Sequence, residues 1–511
     1  MLGDILVQLF LLIIPIFVYY VVWDYNKKKN LLGPRFKGPD PLPIFGNGLM
    51  FLGKTPPEIL ALSTKAREVH GNTLRLWLGN HLNVMLCDPK HVEALLSSTT
   101  LIDKSKEYTF LRNWLGDGLL LSTGKKWHNR RKIITPTFHF KILEQFCEVF
   151  DRQGDTLIEK LKKVDPDESI DIYPLVTLYA LDVICESAMG TTANAQLNSD
   201  SEYVQAVKDI TNVLHLRMFD FLLRPEPFFK ISRSARREKK AIKVLHDFTD
   251  RVIVARRNEL LEQQHGNHDE NRNGILDEEN LGIKKKMAFL DVLLQSTVDG
   301  KPLTNMDIRE EVDTFMFEGH DTTTSGISFL LYNIALYPDV QKKVLEEIRI
   351  VFGTDTRVPT ISDLNNLHYM DLVIKETMRL YPSVPIIGRQ SYKETKLHDI
   401  TIPAGAGIAI GTYFMGRDPE LFPDPETFNP ERFNVERSAE SQNPYSYVPF
   451  SAGLRNCVGQ KFAVLEMKSI ATKVVRNFEL SVADNYKGPI LMAELILRAE
   501  NGVHLKIKSR N

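Results

Sequence analysis

The sequence predicts a mainly α-helical protein with smaller β regions, an α+β chain preceded by a single membrane helix. Three observations lead there. Helical apolar periodicity runs through most of the chain after Pro89, Thr73 to Cys87 alternates apolar and polar residues, and Ile5 to Trp23 carries no charge. With 511 residues and 43% hydrophobic content, the chain can bury a large core. A net charge of −1 gives no sign of the strongly basic surface that a nucleic-acid partner requires. Cys87, Cys147, Cys185 and Cys457 include no Cys-x-x-Cys pair, so they form neither a disulfide framework nor a zinc signature and suit a reducing compartment.

Residues 1–25 read as an N-terminal transmembrane anchor. As a helix, Ile5 to Trp23 would span about 28 Å, close to the ~30 Å of a bilayer core. The run exceeds a signal-peptide core and no small-residue cleavage site follows it. Asp4 precedes it and Lys27, Lys28 and Lys29 follow, which places the remainder in the cytosol, with Pro15 kinking the anchor. Residues 26–48 form a basic, Pro/Gly-rich linker. Pro34, Pro39, Pro41 and Pro43 forbid a regular helix there, so the segment is stiff and extended. Residues 49–511 then make the catalytic domain, beginning with a hairpin that turns at Gly79-Asn80.

From Pro89 onward the pattern is helical, and strands return only after Pro382. The longest uninterrupted helical pattern is Asp307 to Tyr337, stopped by Pro338. The polar, charged stretch Gln263 to Lys286 reads as a mobile surface loop, with His265 and His268 solvated. Ile490 to Leu497 is a second hairpin-like apolar run, placed to close a pocket.

The chemistry centres on Cys457, in Phe450-Ser451-Ala452-Gly453-Leu454-Arg455-Asn456-Cys457-Val458-Gly459. Glycines on both sides let backbone approach a flat ligand. An amphipathic helix carrying Ala463, Met467, Ile470, Val474 and Phe478 begins beside the sulfur. Its N-terminal partial charge, with Arg455, favours thiolate over thiol. Such a thiolate serves as a nucleophile or a metal ligand. On a haem iron it would favour O–O cleavage.

Inside the long helix, Glu318 and Thr322 share one face, with Phe315 one turn before. A carboxylate on the apolar side of a central helix is costly unless it is used. Gly319 would weaken the helix locally, and the Thr322 hydroxyl would bond a preceding carbonyl and open a groove for O2 and water. Thr322 and Asp321 would then relay protons to the reduced oxygen. Elsewhere, Trp127 and Arg131 lie at i and i+4, where indole and guanidinium can both donate to a carboxylate; a cation–π pair is the plainer alternative. Lys125, Lys126, Arg130 and Lys132 on the same helix are either a solvated face or a docking patch for an acidic electron donor. Glu376 and Arg379 stand at i and i+3, ahead of Pro430-Glu431-Arg432-Phe433.

The pattern Phe-x-x-Gly-x-Arg-x-Cys-x-Gly resembles the haem-binding loop of the cytochrome P-450 haem-thiolate monooxygenases, with every fixed position present. The resemblance extends along the chain in family order and implies the cytochrome P-450 fold with an N-terminal membrane anchor helix. It implies haem b (heme, iron protoporphyrin IX) with Cys457 as the axial iron ligand and Phe450 packed near the sulfur. Trp127, Arg131, Arg389 and Arg455 would serve the haem propionates. Glu376, Arg379 and Arg432 would form a structural triad, and Asp321 and Thr322 the catalytic proton pair. Val384, Ile386 and Ile387 would line the substrate pocket with Phe315; an ordinary apolar strand is the plainer reading of the first three.

Where Glu318 stands, the family usually has Ala. The stretch EVDTFMFEGHDTT looks like the family-4 branch, whose matching glutamate can esterify a haem methyl, and it is most similar to insect members. The resemblance implies an endoplasmic reticulum (microsomal) enzyme facing the cytosol. Electrons would come from NADPH through NADPH-cytochrome reductase, a flavin enzyme, with cytochrome b5 a second donor. One atom of O2 would enter a C–H bond of a lipophilic substrate, a fatty acid or related lipid near its terminal carbon. Hormone or insecticide metabolism is the alternative on substrate. A haem-thiolate isomerase or a non-enzymatic haem sensor is the alternative from another class, though neither needs the Asp321-Thr322 pair.

Overall fold

The computed structural model describes residues 2–31, 35–198, 202–272, 288–434 and 443–510, without the side chains of 2–12, 31 and 263–272. Helices make up most of it, and a small mixed sheet sits to one side. The expected hairpin is present. Thr73–Leu78 pairs antiparallel with His81–Leu86 around Gly79-Asn80. The sheet continues through Gly407–Ile410, parallel to His81–Leu86, to the antiparallel Ile387–Gln390 at the far edge. Its inner face packs a core that includes Trp77, Val84, Leu86, Ile408 and Ile410.

The larger core surrounds one helix, Asn305–Leu336. Thr304 starts it with a reciprocal cap. Its hydroxyl accepts from Asp307 N at 3.1 Å, and Asp307 Oδ2 accepts from Thr304 N at 3.1 Å. Pro338 follows its end at Tyr337. This central helix runs against Ile172–Ser187 and Gln460–Asn477 and is covered on nearly all sides. Ile172–Ser187 is apolar around its circumference for the same reason.

Several expectations change. Ser169–Asp171, Thr297–Val298 and Lys301–Pro302 are short strands ahead of Pro382, too brief for an alternating pattern to reveal. Helix Arg233–Arg272 is longer than the central one and carries the chain through the first half of the expected loop. Helix elongation adds one hydrogen bond per residue fixed, so an established helix runs on into polar sequence cheaply. The remainder of that loop lies outside the described residues, as do the side chains of His265 and His268.

At the N-terminus Leu2–Asn26 is one helix with Pro15 inside it. The expected anchor begins among side chains outside the described set, and among the described residues no helix is long and apolar enough to cross a membrane. From Ile13 to Trp23 its apolar side chains are exposed. Lys28 is not a free surface charge: it is fully buried, donating to Asp24 Oδ2 at 2.6 Å and Asn80 Oδ1 at 2.9 Å. Asp24 Oδ2 also accepts from Ile44 N at 2.7 Å, so the helix end is fastened to the sheet hairpin.

Candidate functional site

One wall of the site is the Cys457 loop. Gly453 has φ +68°, and a Cβ there would lie 1.9 Å from Leu96 O, so only glycine fits the turn. Cys457 N donates to Phe450 O at 2.9 Å and closes the loop, and helix Gln460–Asn477 starts just beyond Gly459. The Cys457 side chain is accessible from within the fold although it lies deep in the protein. Burial pushes its thiol up to about 11, and the charge of Glu318 adds to that push. In the protein alone this burial opposes the N-terminal charge that favours thiolate. Arg455 does not offset it, because its guanidinium turns away to donate to the carbonyls of Leu119 and Ser122.

Around this loop four cations converge. Arg131 donates to Asn456 O at 2.9 Å and to Asn456 Oδ1 at 2.6 Å. The Arg455 guanidinium lies 4.4 Å from the centre of the Trp127 ring, so the cation–π partner of Trp127 is Arg455, not Arg131. Arg389 is 2% exposed and reaches Ser451 Oγ at 3.5 Å. Lys104, with no motif to announce it, stands 4.9 Å from the Tyr108 ring and within the field of Arg389, Glu318 and Arg455. Among the described residues none of these four forms an ion pair. Burial, and for Lys104 and Arg455 also repulsion from Arg389, pulls their pKa values down, Arg455 to about 10.

The opposite wall is the central helix. Between Glu311 and Ala335 every residue is buried except Glu318, Gly319 and Thr322, which share one face. Burial pushes Glu318 up to about 7, against the pull of Lys104 and Arg131. Thr322 Oγ1 donates to Glu318 O at 2.6 Å, the back-bond that the sequence suggests. Gly319 has a different cause from the expected local weakening. A Cβ there would lie 2.6 Å from Ile184 Cδ1, so glycine lets the two helices touch. Asp321 and Thr322 are not joined. Both Asp321 oxygens accept from Arg498 Nη2, at 2.8 and 2.6 Å, while Ser383 Oγ donates to Thr322 O at 2.8 Å.

The remaining residues divide. Phe315 is not a pocket residue: its ring lies between Phe138 and Phe289, with centroids at 5.7 and 4.3 Å, and packs the core. Ile387 is buried within the edge strand of the sheet, whereas Val384 and Ile386 are partly exposed. Glu376 takes Arg379 on both oxygens at 2.7 and 2.8 Å and Arg432 Nε at 3.0 Å, so the triad is assembled. Three of the four residues of the basic cluster are in ion pairs. Lys125 pairs with Asp299 at 2.8 Å, Lys126 with Glu310 at 2.6 Å, and Arg130 with Asp307 at 2.5 Å and Glu311 at 3.3 Å. The acidic start of the central helix thus takes Lys126 and Arg130 out of the expected docking patch, while the Lys125–Asp299 pair stays on the surface. Sequence reasoning missed Lys104 and Arg498; for Arg498 a charge ending an apolar run was the available signal.

These walls fit a haem. Four unpaired cations that repel one another call for a partner with more than one negative charge, and two propionates supply it. Arg455 Nε is buried without a hydrogen-bond partner among the described residues. The packing of the protein does not itself require glycine at Gly459, where a Cβ would meet only Phe138 at 3.9 Å. Iron would take Cys457 as the thiolate, since metal binding displaces the proton that burial retains.

A family model described as "Cytochrome P450" matches residues 36–507. Cytochrome P450 4d10 of Drosophila mettleri is 50% identical over 490 residues, 95% of this chain and 93% of the relative. Cytochrome P450 4d1 of Drosophila melanogaster is 49% identical, covering 93% of each chain, and cytochrome P450 4d2 of the same species 47%, covering 98% of each. The chain belongs to the cytochrome P450 family, in the branch of the insect family-4 members.

Proposed function

We propose that this haem-thiolate monooxygenase hydroxylates long-chain fatty acids or related lipids at or near the terminal carbon. It does so at the endoplasmic reticulum membrane, facing the cytosol, with electrons from NADPH delivered through a flavin reductase. The observation that carries the reading is Glu318, a desolvated carboxyl on the partly exposed face of the central helix whose charge acts on Cys457. Bound haem supplies the activation of O2 and the removal of hydrogen from carbon.

The chain's residues supply the rest. Cys457 would hold the iron, Arg131, Arg389, Arg455 and Lys104 would hold and neutralise the propionates, and Trp127 would donate to them. Glu318 would hold the haem through an ester to one of its methyls, a C–H bond giving way to C–O in a two-electron oxidation that draws on the O2 and reductant of the enzyme's own turnover. A cofactor fixed through Glu318 narrows the approach and favours the primary C–H bond over weaker secondary ones. Val384 and Ile386 offer the chain an apolar side. Thr322 holds the last proton, supplied by way of Asp321. The exposed apolar side chains from Ile13 to Trp23 support an anchor at the membrane, and the Lys28 clamp fixes how the domain leaves it.

Reconstitution with NADPH, reductase and fatty acids of graded length tests this reading. The expected product is the terminal alcohol, with NADPH consumption that depends on the lipid. Mid-chain products alone, or no lipid-dependent oxygen use, would overturn it.

A further inference from the structure

Arg498 occupies a place no catalytic motif marks. It belongs to the short strand Leu497–Ala499, which pairs with Leu491–Ala493 near the C-terminus. Its neighbour Leu497 is clipped on both sides: Leu497 N donates to Ser383 O at 2.9 Å, and Leu497 O accepts from Ser325 Oγ at 2.7 Å. Ser383 is the residue that also holds Thr322 O, so the strand and the Thr322 turn share a support. From this fixed base the Arg498 side chain enters the protein, 7% exposed, and places one nitrogen between the two oxygens of Asp321.

The other nitrogen faces away from the central helix. Nη1 lies 3.4 Å from Thr211 Oγ1 and 3.5 Å from Glu494 Oε2, while Asn212 Nδ2 donates to Glu494 Oε1 at 3.4 Å. Thr211 and Asn212 belong to helix Glu202–Phe219. One guanidinium therefore touches three elements: the central helix, the C-terminal hairpin and the Glu202–Phe219 helix. The bonds are unequal. Those to Asp321 are short and the others are near the limit of a hydrogen bond, so Arg498 is anchored on Asp321 and only loosely held behind. Tyr173, His320 and Tyr203 are the other titratable groups whose electrostatics involve this pair.

We propose that Arg498 is a positioning residue that fixes the orientation of Asp321 and thereby sets how faithfully protons follow electrons to oxygen. This rests on the reading of Asp321 and Thr322 as the proton pair. Without the fork, Asp321 would be a buried carboxylate free to turn towards the haem side or to find water, and proton arrival would lose its timing. Electrons would then leave as hydrogen peroxide, by two-electron reduction of O2 with two protons, in place of entering product.

The test compares holoenzyme carrying Arg498→Gln, Arg498→Lys, Asp321→Asn and the double change Asp321→Asn/Arg498→Gln. Product and hydrogen peroxide are measured per NADPH, with the solvent deuterium isotope effect on oxygen use. Arg498→Gln is expected to lower product per NADPH by about tenfold, less than the roughly 100-fold or more of a lost proton-transfer group because Asp321 itself remains, with Arg498→Lys intermediate. The double change is expected to match Asp321→Asn alone, because Arg498 acts through Asp321. Hydrogen exchange of residues 491–499 supplies a readout apart from turnover, expected to quicken in Arg498→Gln and less in Arg498→Lys. The double change, which leaves two neutral partners, controls for misfolding. Coupling unchanged in Arg498→Gln while Asp321→Asn is impaired would overturn the proposal alone. Coupling unchanged in Asp321→Asn would overturn the proton-pair reading, and the proposal with it.

Discussion

Arg379 donates from Nε and Nη2 to the two carboxylate oxygens of Glu376, at 2.7 and 2.8 Å, with both side chains fully buried. The remaining nitrogen is also used: Nη1 donates to Gly416 O and Pro425 O, and Nη2 reaches Thr427 O. Arg432 adds bonds to the carbonyls of Pro423, Asp424 and Thr427, and Asn429 N donates to Glu376 Oε1 at 2.8 Å. The meander leading to the Cys457 loop has little regular structure of its own. It is held by guanidinium groups that read its carbonyls, and those groups are held by one carboxylate.

Glu376→Ala leaves two guanidinium groups inside the protein without their anion, at a cost of about 3–5 kcal/mol. That is a large share of a typical stability of about 5–15 kcal/mol. The expected outcome is a lower unfolding midpoint and poor haem uptake, because the loop that carries Cys457 loses its support. Thermal unfolding with a haem assay on the same sample checks this. A normal midpoint would remove the structural role.

Asp313 provides the pH prediction. Burial pushes its carboxyl from 3.8 up to about 8, although Thr249 Oγ1 donates to it at 2.6 Å and Arg309 pulls the other way. Asp250 and Glu310 add to the push, and His246 Nε2 lies 3.5 Å away. A carboxyl whose folded value exceeds its unfolded one makes the native state the better proton binder between the two. Its contribution to stability is complete below the unfolded value and lost as pH rises through about 8. Asp313→Asn keeps an acceptor for Thr249 and should flatten the fall in unfolding midpoint between about pH 4 and 8. An unchanged slope would assign the pH dependence to other groups.

Much of this was legible in the sequence where the signal was local. The hairpin from Thr73 was legible because alternation and a Gly-Asn turn act within a dozen residues, and the Thr322 back-bond because it spans one helical turn. What stayed hidden depends on partners far along the chain. Arg498 and Asp321 stand 177 residues apart, and Lys126 and Glu310 184. A basic cluster and its acidic partners look alike from either side until the fold brings them together. Cys457 is a different case: the motif marks the residue, whereas the burial that pushes its thiol up is something no local pattern states.

Gly319 is expected to tolerate no side chain. Alanine would gain about 1 kcal/mol of helix propensity, and the clash with Ile184 would cost about 1–3 kcal/mol. Gly319→Ala should therefore be destabilising in spite of its better propensity. Shortening the obstacle should repair it, so Ile184→Ala and Gly319→Ala together should cost less than the sum of their separate effects. Denaturant titration of the four proteins measures the coupling. Additive costs would mean that the helices separate in some other way.

Glu318 carries the last prediction. Acid-denatured wild-type protein, after turnover with NADPH and reductase, should retain haem by mass, and Glu318→Ala should release all of it. The ester forms from the carboxylate, and burial places that carboxyl at about 7, so the covalent fraction should rise as the reaction pH passes from about 6 to 8. Glu318→Gln lacks the carboxylate and should behave like alanine for the ester while preserving the size of the side chain. If regiochemistry depends on the fixed cofactor, both variants should move hydroxylation inward from the terminal carbon. If it depends on side-chain bulk alone, only alanine should. Complete release of haem from the wild type at every pH would leave Glu318 without its covalent role, and the products of the two variants would then decide whether it guides the substrate at all.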